Sequence, residues 1–245
     1  MGELREQTFN CFSNEGWKTV NEEGIGVWKR LPLIKDDDYQ GMGIQCILYP
    51  AGIRRPAHRL SCGSGIYIIE GELTVDEGTF GKGTLIWHPA NHIYSYSTEK
   101  GCRLIFVTTH SHTSEYVDAI PAQQETKTVI SNIFEKEGWI QGEEPVGAFF
   151  DDKPVVTDPY NGALINFSHY PEGFYKPYHV HTCSHGVLVI DGCEKTATGN
   201  YAPGSFIWHP AGVKAGHGPA DGHDCWFMFI ANRPFEIEFL EEEED

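Results

Sequence analysis

Three histidines at short spacing carry the clearest chemical signal in this chain of 245 residues. His179 and His181 are two residues apart, so on a β-strand both side chains leave from the same face. His185 has the same parity, but six residues of straight strand would carry it roughly 20 Å from His179. Imidazole nitrogens that share one metal ion at about 2.1 Å must lie only a few ångströms apart. We therefore predict a metal site and a turn over residues 182–184 that brings His185 back towards the other two.

An internal duplication indicates that only one half of the chain keeps this site. The sequence Gly-Ser-Phe-Ile-Trp-His-Pro-Ala at 204–211 repeats Gly-Thr-Leu-Ile-Trp-His-Pro-Ala at 83–90, a shift of 204 − 83 = 121 residues. The same shift places His58 opposite the first histidine of the site, but Leu60 and Ser64 opposite the second and third. The first half is therefore predicted to hold a degenerate site, in which His58 is a structural remnant.

His217 is the predicted fourth ligand, because it follows a Pro-Ala-Gly turn signal in the second half. Two alignments of the copies remain open at this point. If the second copy has a two-residue insertion here, as pairing Cys102 with Cys225 suggests, His217 matches Tyr94. Without the insertion it matches Tyr96. Both alternatives give the same strand parity.

Two other potential ligands occur in both copies, which favours roles other than chemistry. Cys183 matches Cys62, so it is interpreted as an inherited residue rather than a thiolate ligand. His209 matches His88 and is assigned to packing or hydrogen bonding for the same reason.

Short apolar runs bounded by Gly, Pro, Asn or Asp dominate both halves and predict β-strands. Many short strands with a turn signal every ten or so residues indicate an all-β sandwich or barrel in each half. A polar segment over 113–125 marks the boundary, and the predicted domains are 1–122 and 123–245. The runs that predict strands are Gly43–Leu48, Gly65–Ile69, Thr84–Trp87, Arg103–Thr108, Ala163–Phe167, Gly186–Ile190, Ser205–Trp208 and Cys225–Ile230.

Composition argues against several classes of partner. The net charge, 18 − 35 = −17, repels phosphate backbones and anionic lipids, so neither nucleic acid nor a membrane is expected as a partner. The seven cysteines form an odd set without a CxxC motif, which fits reduced thiols in a cytoplasm. The N-terminus has neither a basic start nor an apolar stretch, so no signal peptide is predicted. We expect a cytoplasmic protein.

The histidine spacing resembles the cupin superfamily. Its first motif, G, five residues, HxH, three or four residues, E, six residues, G, is matched at Gly173, His179, His181, His185 and Gly192, with histidine in place of glutamate. Its second motif, PxG followed shortly by His, is matched at 210–212 and His217, with a gap two residues longer than usual. The resemblance covers both halves. It implies an all-β bicupin of two tandem cupin-type jelly-roll β-barrels.

Four neutral imidazoles would leave a divalent ion with its full double charge. A six-coordinate ion would keep two open positions, which favours an anionic chelating ligand such as an enolate. Histidine suits iron, zinc, nickel and manganese, so the ligand type does not select the metal.

All-histidine cupin sites look like those of the dioxygenases that cleave diketones and hydroxyacetophenones. This resemblance implies an iron(II)-dependent dioxygenase acting on a small enolisable carbonyl compound. The alternatives are a metal-dependent lyase or isomerase, and a zinc-binding sensor without enzymatic activity. Three residues are predicted to contact substrate, namely Lys176, Tyr178 and Trp226. A monomer or a homodimer is expected, because two tandem barrels can mimic the dimer of a single cupin.

Overall fold

The computed structural model describes residues 5–36, 40–143 and 147–240. Within these ranges every regular element is a β-strand. The described ranges contain no helix long and apolar enough to cross a membrane. The eight predicted strands are all present, seven of them within three residues of the predicted bounds. The strand predicted at Gly65–Ile69 continues six residues further, to Val75.

The chain forms two compact units, and the residues that belong to each differ from the predicted domain bounds. The N-terminal unit is residues 13–135, and the C-terminal unit joins residues 1–12 to residues 136–245. The predicted division at 122/123 places residues 1–12 in the N-terminal domain and residues 123–135 in the C-terminal domain, whereas in the structure each segment belongs to the opposite unit.

The first strand, β1 (Gln7–Asn10), belongs to the C-terminal unit. The N-terminal unit contains eleven strands that join in one curled sheet. They are β2 (Lys18–Glu22), β3 (Gly26–Asp36), β4 (Met42–Tyr49), β5 (Ile53–Leu60), β6 (Ser64–Val75), β7 (Gly78–Gly81), β8 (Thr84–His88), β9 (Tyr94–Thr98), β10 (Cys102–Thr108), β11 (Ser114–Tyr116) and β12 (Val129–Asn132).

The C-terminal unit has the remaining strands, arranged in two sheets. They are β13 (Ile140–Glu143), β14 (Phe149–Thr157), β15 (Leu164–Tyr170), β16 (Lys176–His181), β17 (His185–Gly192), β18 (Glu194–Thr196), β19 (Gly199–Tyr201), β20 (Ser205–His209), β21 (Ala215–Pro219), β22 (Cys225–Ala231) and β23 (Ile237–Phe239). The first sheet has the order β1-β20-β17-β22-β15-β14-β13, and the second has the order β19-β18-β21-β16-β23. Alternate residues of these strands point into an apolar core that includes Tyr170, Val187, Ile207 and Phe227.

Each unit includes one strand from the segment that precedes the other unit's repeat: β1 precedes the N-terminal repeat but lies in the C-terminal unit, and β12 precedes the C-terminal repeat but lies in the N-terminal unit. β1 pairs with β20 along its whole length, from Gln7 opposite Trp208 to Asn10 opposite Ser205. β12 makes the matching pairing with β8, from Val129 opposite Trp87 to Asn132 opposite Thr84. The two strands therefore occupy equivalent positions in the two barrels.

The glycine that ends β17 gives a test of how tightly the C-terminal unit is packed. Gly192 has φ +76°, and a Cβ there would lie 1.9 Å from the carbonyl oxygen of Asp224. We expect Gly192→Ala to destabilise the protein by about 3 kcal/mol or more, because backbone must move. Gly222 has φ +77° but nothing within 4 Å of its Cβ position, so Gly222→Ala should cost only about 1–2 kcal/mol of backbone strain. Denaturant unfolding measures both, and equal losses would contradict the steric argument.

Candidate metal centre

The predicted histidines come from both sheets of the C-terminal unit and meet inside its barrel. His179 and His181 lie on β16 and His217 on β21, in the five-stranded sheet. His185 begins β17 in the seven-stranded sheet, where His209 of β20 is its pairing partner. All five side chains are buried. The turn predicted over 182–184 is confirmed, since β16 ends at His181 and β17 begins at His185.

The distances between the imidazole rings suit a shared ion. Two rings whose nitrogens both bind one ion at about 2.1 Å have centroids no more than roughly 6.5 Å apart. The centroid distance is 4.8 Å from His179 to His181 and 4.1 Å from His181 to His185. It is 5.2 Å from His179 to His217. Each of these neighbouring pairs falls within the limit.

The protonation of the rings also suits metal binding. Nδ1 of His179 lies 2.6 Å from the carbonyl oxygen of Pro177, which can only accept, so Nδ1 carries the proton and Nε2 keeps its lone pair. Burial lowers the pKa of His179 to about 4 and that of His181 to about 3, so both rings are neutral. Burial likewise holds the pKa values of His185 and His217 well below the ordinary histidine value.

Three of the four predicted ligands have one buried ring nitrogen without a hydrogen-bond partner: Nε2 of His179 and Nδ1 of His181 and His185. Unpaired buried polar atoms are uncommon, and each calls for a partner. Neutral imidazoles with unpaired nitrogens around one space form a donor set that fits a divalent cation.

Cys183 lies within the tightest part of this cluster. Potential ligand atoms of His181, Cys183 and His185 all lie within 4.8 Å of one another, the one such group among the described residues. Burial raises the pKa of Cys183 to about 11, so its thiol is protonated at neutral pH. A protonated thiol is a poor metal ligand, because the thiolate is the form that binds metals. Cys62 is equally buried in the N-terminal unit, which agrees with a packing role. The set of four histidines stays a prediction.

The structure resolves the open alignment of His217. Both units use one register between these two strands: Arg55 opposite Tyr96 and His58 opposite Tyr94, and Lys176 opposite His217 and His179 opposite Ala215. His217 therefore matches Tyr96. The insertion lies later, because three residues (99–101) join β9 to β10 whereas five (220–224) join β21 to β22.

One substitution between the copies places a large ring beside the N-terminal counterparts of the predicted ligands. Tyr94 is buried, and its ring centroid lies 3.7 Å from that of His88 and 4.3 Å from that of His58. Its hydroxyl lies 3.3 Å from Oγ of Ser64, at the position of the third ligand. The C-terminal counterpart of Tyr94 is Ala215, whose side chain is a single methyl group.

Two carboxylates beside the histidines were missed by the sequence analysis. Oε1 of Glu194 lies 2.9 Å from Nδ1 of His217, and burial raises the pKa of Glu194 to about 8. Its counterpart is Leu73, so a charged residue at an apolar position of the repeat was the available signal. Oε2 of Glu6 lies 3.7 Å from Nδ1 of His209, whose ring stacks on His185 at 4.9 Å. No local pattern connects Glu6 with this site, because the contact depends on the pairing of β1.

A cavity of about 90 Å³ lies beside the histidines. Of the three predicted substrate contacts, only Lys176 lines it. Between Lys176 and His179 the pairing with β21 shifts, so both residues face inward and Tyr178 faces outward. Tyr178 is 39% exposed and lines a separate surface groove. Trp226 lies outside the cavity lining and stacks on His169 with centroids 4.0 Å apart. Tyr178 and Trp226 thus lie outside the lining of this cavity, and their contact with substrate stays a prediction.

The lining of the cavity also includes polar residues other than the histidines. Asp152 accepts hydrogen bonds from Oγ of Ser168 at 2.7 Å and from Nδ2 of Asn166 at 3.2 Å. Burial raises the pKa of Asp152, although these bonds and the charge of Lys176 act in the opposite direction. Nζ of Lys176 lies 5.2 Å from the ring centroid of Phe150, a cation–π distance.

Comparison with known proteins identifies the fold. No protein-family profile and no curated protein sequence matches the chain. Among solved structures, a proposed dioxygenase from Nostoc punctiforme superposes with a TM-score of 0.76 at 13% identity, covering 98% of this chain and 88% of that one. Oxalate decarboxylase from Bacillus subtilis superposes with a TM-score of 0.63 at 13% identity, covering 98% and 80%. Vicilin from Solanum melongena gives 0.59 at 10% identity, covering 97% and 87%.

These proteins have cupin-type and bicupin folds, and the likeness extends over both units. At such low identity the comparison establishes the fold and leaves the reaction to the site. The chain is therefore an all-β protein with the bicupin fold, two tandem cupin-type jelly-roll barrels, and a cluster of buried histidines in the second.

Proposed function

We propose that the protein is an iron(II)-dependent dioxygenase that acts on a small enolisable carbonyl compound. The observation that carries the proposal is a set of buried, neutral histidines beside a cavity that also contains a cation, Lys176. His179, His181, His185 and His217 would hold the ion. Bound iron(II) would supply a Lewis acid and a redox partner for dioxygen.

The protein's own side chains favour an anionic form of the substrate. Lys176 is buried in the cavity wall, and its ammonium group would stabilise the negative oxygen of an enolate. The volume of about 90 Å³ restricts the substrate to a small molecule. Aromatic rings of Phe150, Phe227 and Phe229 line the same space and would exclude water from the enolate.

Asp152 is the side chain best placed to accept a proton from the substrate. Its carboxylate lines the cavity, and a raised pKa makes it a stronger base than an exposed aspartate. The hydrogen bonds from Ser168 and Asn166 would hold the carboxylate in position while Oδ1 or Oδ2 takes the proton. Asp152 would thereby form the enolate that Lys176 stabilises.

The test combines metal analysis with oxygen uptake. Protein purified without oxygen is loaded with iron(II) and offered pentane-2,4-dione and a panel of small α-hydroxyketones in an oxygen electrode. We expect saturable uptake of one O₂ per molecule cleaved, with both oxygen atoms in the products. His223, an exposed histidine away from the cluster, provides the control: His223→Ala should keep full activity.

Three outcomes would reject the proposal. Turnover without oxygen uptake would assign the site to a lyase or isomerase. Tight binding of zinc but not iron, without turnover of any probe, would favour a sensor. Oxygen uptake that persists after the histidine cluster is removed would place the activity elsewhere.

Glu194 provides a separate prediction about how the site is held together. Its carboxyl group lies 2.9 Å from Nδ1 of His217, where it would orient the ring with Nε2 towards the ion. Loss of such a partner typically weakens metal affinity about 10- to 100-fold, and we expect Glu194→Gln to fall in this range. Competition with a chelator of known affinity measures the change. Glu238→Gln, which alters an exposed carboxylate of β23, should leave the affinity unchanged.

A further inference from the structure

The N-terminal barrel contains a cavity of its own, of about 200 Å³. The shift of 121 residues relates its wall to that of the C-terminal cavity, and three pairs of wall residues show the correspondence: Tyr49 with Tyr170, Arg55 with Lys176, and Tyr96 with His217. Tyr94 packs against His58 and His88, in the part of the barrel that corresponds to the predicted ion site, but this second part of the barrel interior stays open. The barrel has thus lost the predicted ion site and kept a binding cavity.

Arg55 is the main polar group of this cavity. Its Nη2 donates to Oε2 of Glu22 at 2.7 Å, and its Nη1 donates to the hydroxyl of Tyr116 at 3.0 Å. The buried Nε–H has no acceptor within residues 5–36, 40–143 and 147–240. A buried donor without an acceptor is costly, so a ligand oxygen in the cavity would satisfy a real need.

The charges around the cavity balance. The guanidinium of Arg55 is offset by the carboxylate of Glu22, and burial lowers the pKa of His58, which leaves that ring neutral at pH 7. At the rim, Glu115 is paired with Arg59 at 2.7 Å. An additional anion would gain attraction from Arg55 but meet repulsion from Glu22, so the cavity favours an uncharged ligand.

The walls of the cavity suit a flat ring. Trp28 and Tyr49 have centroids 5.4 Å apart, and Tyr49 and Tyr96 have centroids 5.9 Å apart. The volume corresponds to roughly seven water molecules at about 30 Å³ each, enough for one six-membered ring with a polar substituent. Aromatic rings pack against each other in offset or tilted geometries, which these walls offer.

We propose that the N-terminal barrel binds a small, uncharged aromatic carbonyl compound without a metal. The carbonyl oxygen accepts from the guanidinium of Arg55, and the ring packs against Trp28 and Tyr96. This second site is independent of the reaction assigned to the C-terminal barrel.

Benzamide and benzoate provide the test, because they have the same shape and differ in charge. Neither can enolise, so neither imitates the substrate class proposed for the C-terminal site. Titration calorimetry on the full-length, metal-free protein is expected to show one benzamide site with a Kd of about 0.1–1 mM. Benzoate should bind at least about tenfold more weakly. Arg55→Met should weaken benzamide binding about tenfold or more, whereas Arg54→Met, an exposed neighbour, should have no effect.

A second variant keeps the test valid if Arg55→Met fails to fold. Glu22→Gln removes the balancing charge, so it should reverse the preference and make benzoate the tighter ligand, a gain that unfolding cannot produce. The proposal is overturned if benzamide does not bind at about 10 mM or if benzoate binds better to the wild type. It is equally overturned if benzamide binding is lost in Lys176→Met rather than in Arg55→Met.

Discussion

His181→Ala is expected to remove nearly all bound metal, whereas His58→Ala should leave the metal content unchanged. The ring of His181 lies between two other predicted ligands, 4.8 Å from His179 and 4.1 Å from His185. Loss of a residue that only hydrogen-bonds to a metal ligand typically costs 10- to 100-fold in metal affinity, so loss of a central ligand should cost at least about 100-fold. Elemental analysis after dialysis against a weak chelator measures the occupancy.

His58 is a matched control, because it occupies the equivalent strand in the N-terminal unit. Its Nδ1 lies 2.8 Å from the carbonyl oxygen of Pro56, just as His179 contacts Pro177, but it lies against the ring of Tyr94 instead of a second imidazole. Both substitutions remove one buried ring, so their effects on stability should be similar. Equal losses of metal in the two variants would therefore refute the assignment of the ion to the C-terminal barrel alone.

The fold was largely predictable because its signals are local or repeated. Short apolar runs with β-branched residues between turn residues mark strands, and each such run in the list is a strand in the structure. The shift of 121 residues relates the two barrels throughout, as the paired registers of β5–β9 and β16–β21 show. Strand geometry alone predicts that the two histidines of the HxH motif share a face. Metal–ligand distances then predict the turn before His185.

Features that depend on distant pairing could not be predicted in this way. The exchange of β1 and β12 cannot be detected from the sequence around each strand, because a four-residue strand such as Gln7–Asn10 does not indicate which strand it pairs with. The outward position of Tyr178 results from the shifted pairing of β16 with β21, which breaks simple alternation. The same limit applies to Glu6, which reaches His209 only because β1 pairs with β20.

The structure adds a difference between the two units that a comparison of the predicted ligand positions does not detect. Sequence comparison detects the loss of the second and third histidines to Leu60 and Ser64. The decisive steric change is the exchange of Ala215 for Tyr94, which matters only once the register is known. Restoring histidines at positions 60 and 64 would therefore be insufficient to create an ion site beside the Tyr94 ring.

The exchanged strands predict which fragments can fold. Residues 13–135 should form a stable unit, and so should residues 1–12 joined by a flexible linker to residues 136–245. Division at the repeat boundary, into 1–122 and 123–245, should instead give fragments that are unfolded or strongly destabilised. Circular dichroism and denaturant unfolding of the four fragments measure the outcome.

The size of this effect follows from what each exchanged segment buries. Ile133, just after β12, is fully buried and its N–H bonds to the carbonyl of Gly83 at 3.1 Å. Cys11, just after β1, is equally buried and its N–H bonds to the carbonyl of Gly204 at 2.9 Å. Removing one buried aliphatic side chain costs about 2–5 kcal/mol, and losing a whole strand also exposes the edge of β8 or β20. Because single domains are stable by only about 5–15 kcal/mol, a fragment without its exchanged strand should lose most of that stability. Unfolding midpoints for 1–122 and 123–245 that equal those of the two complete units would show that the exchanged strands contribute little, and that the repeats fold without them.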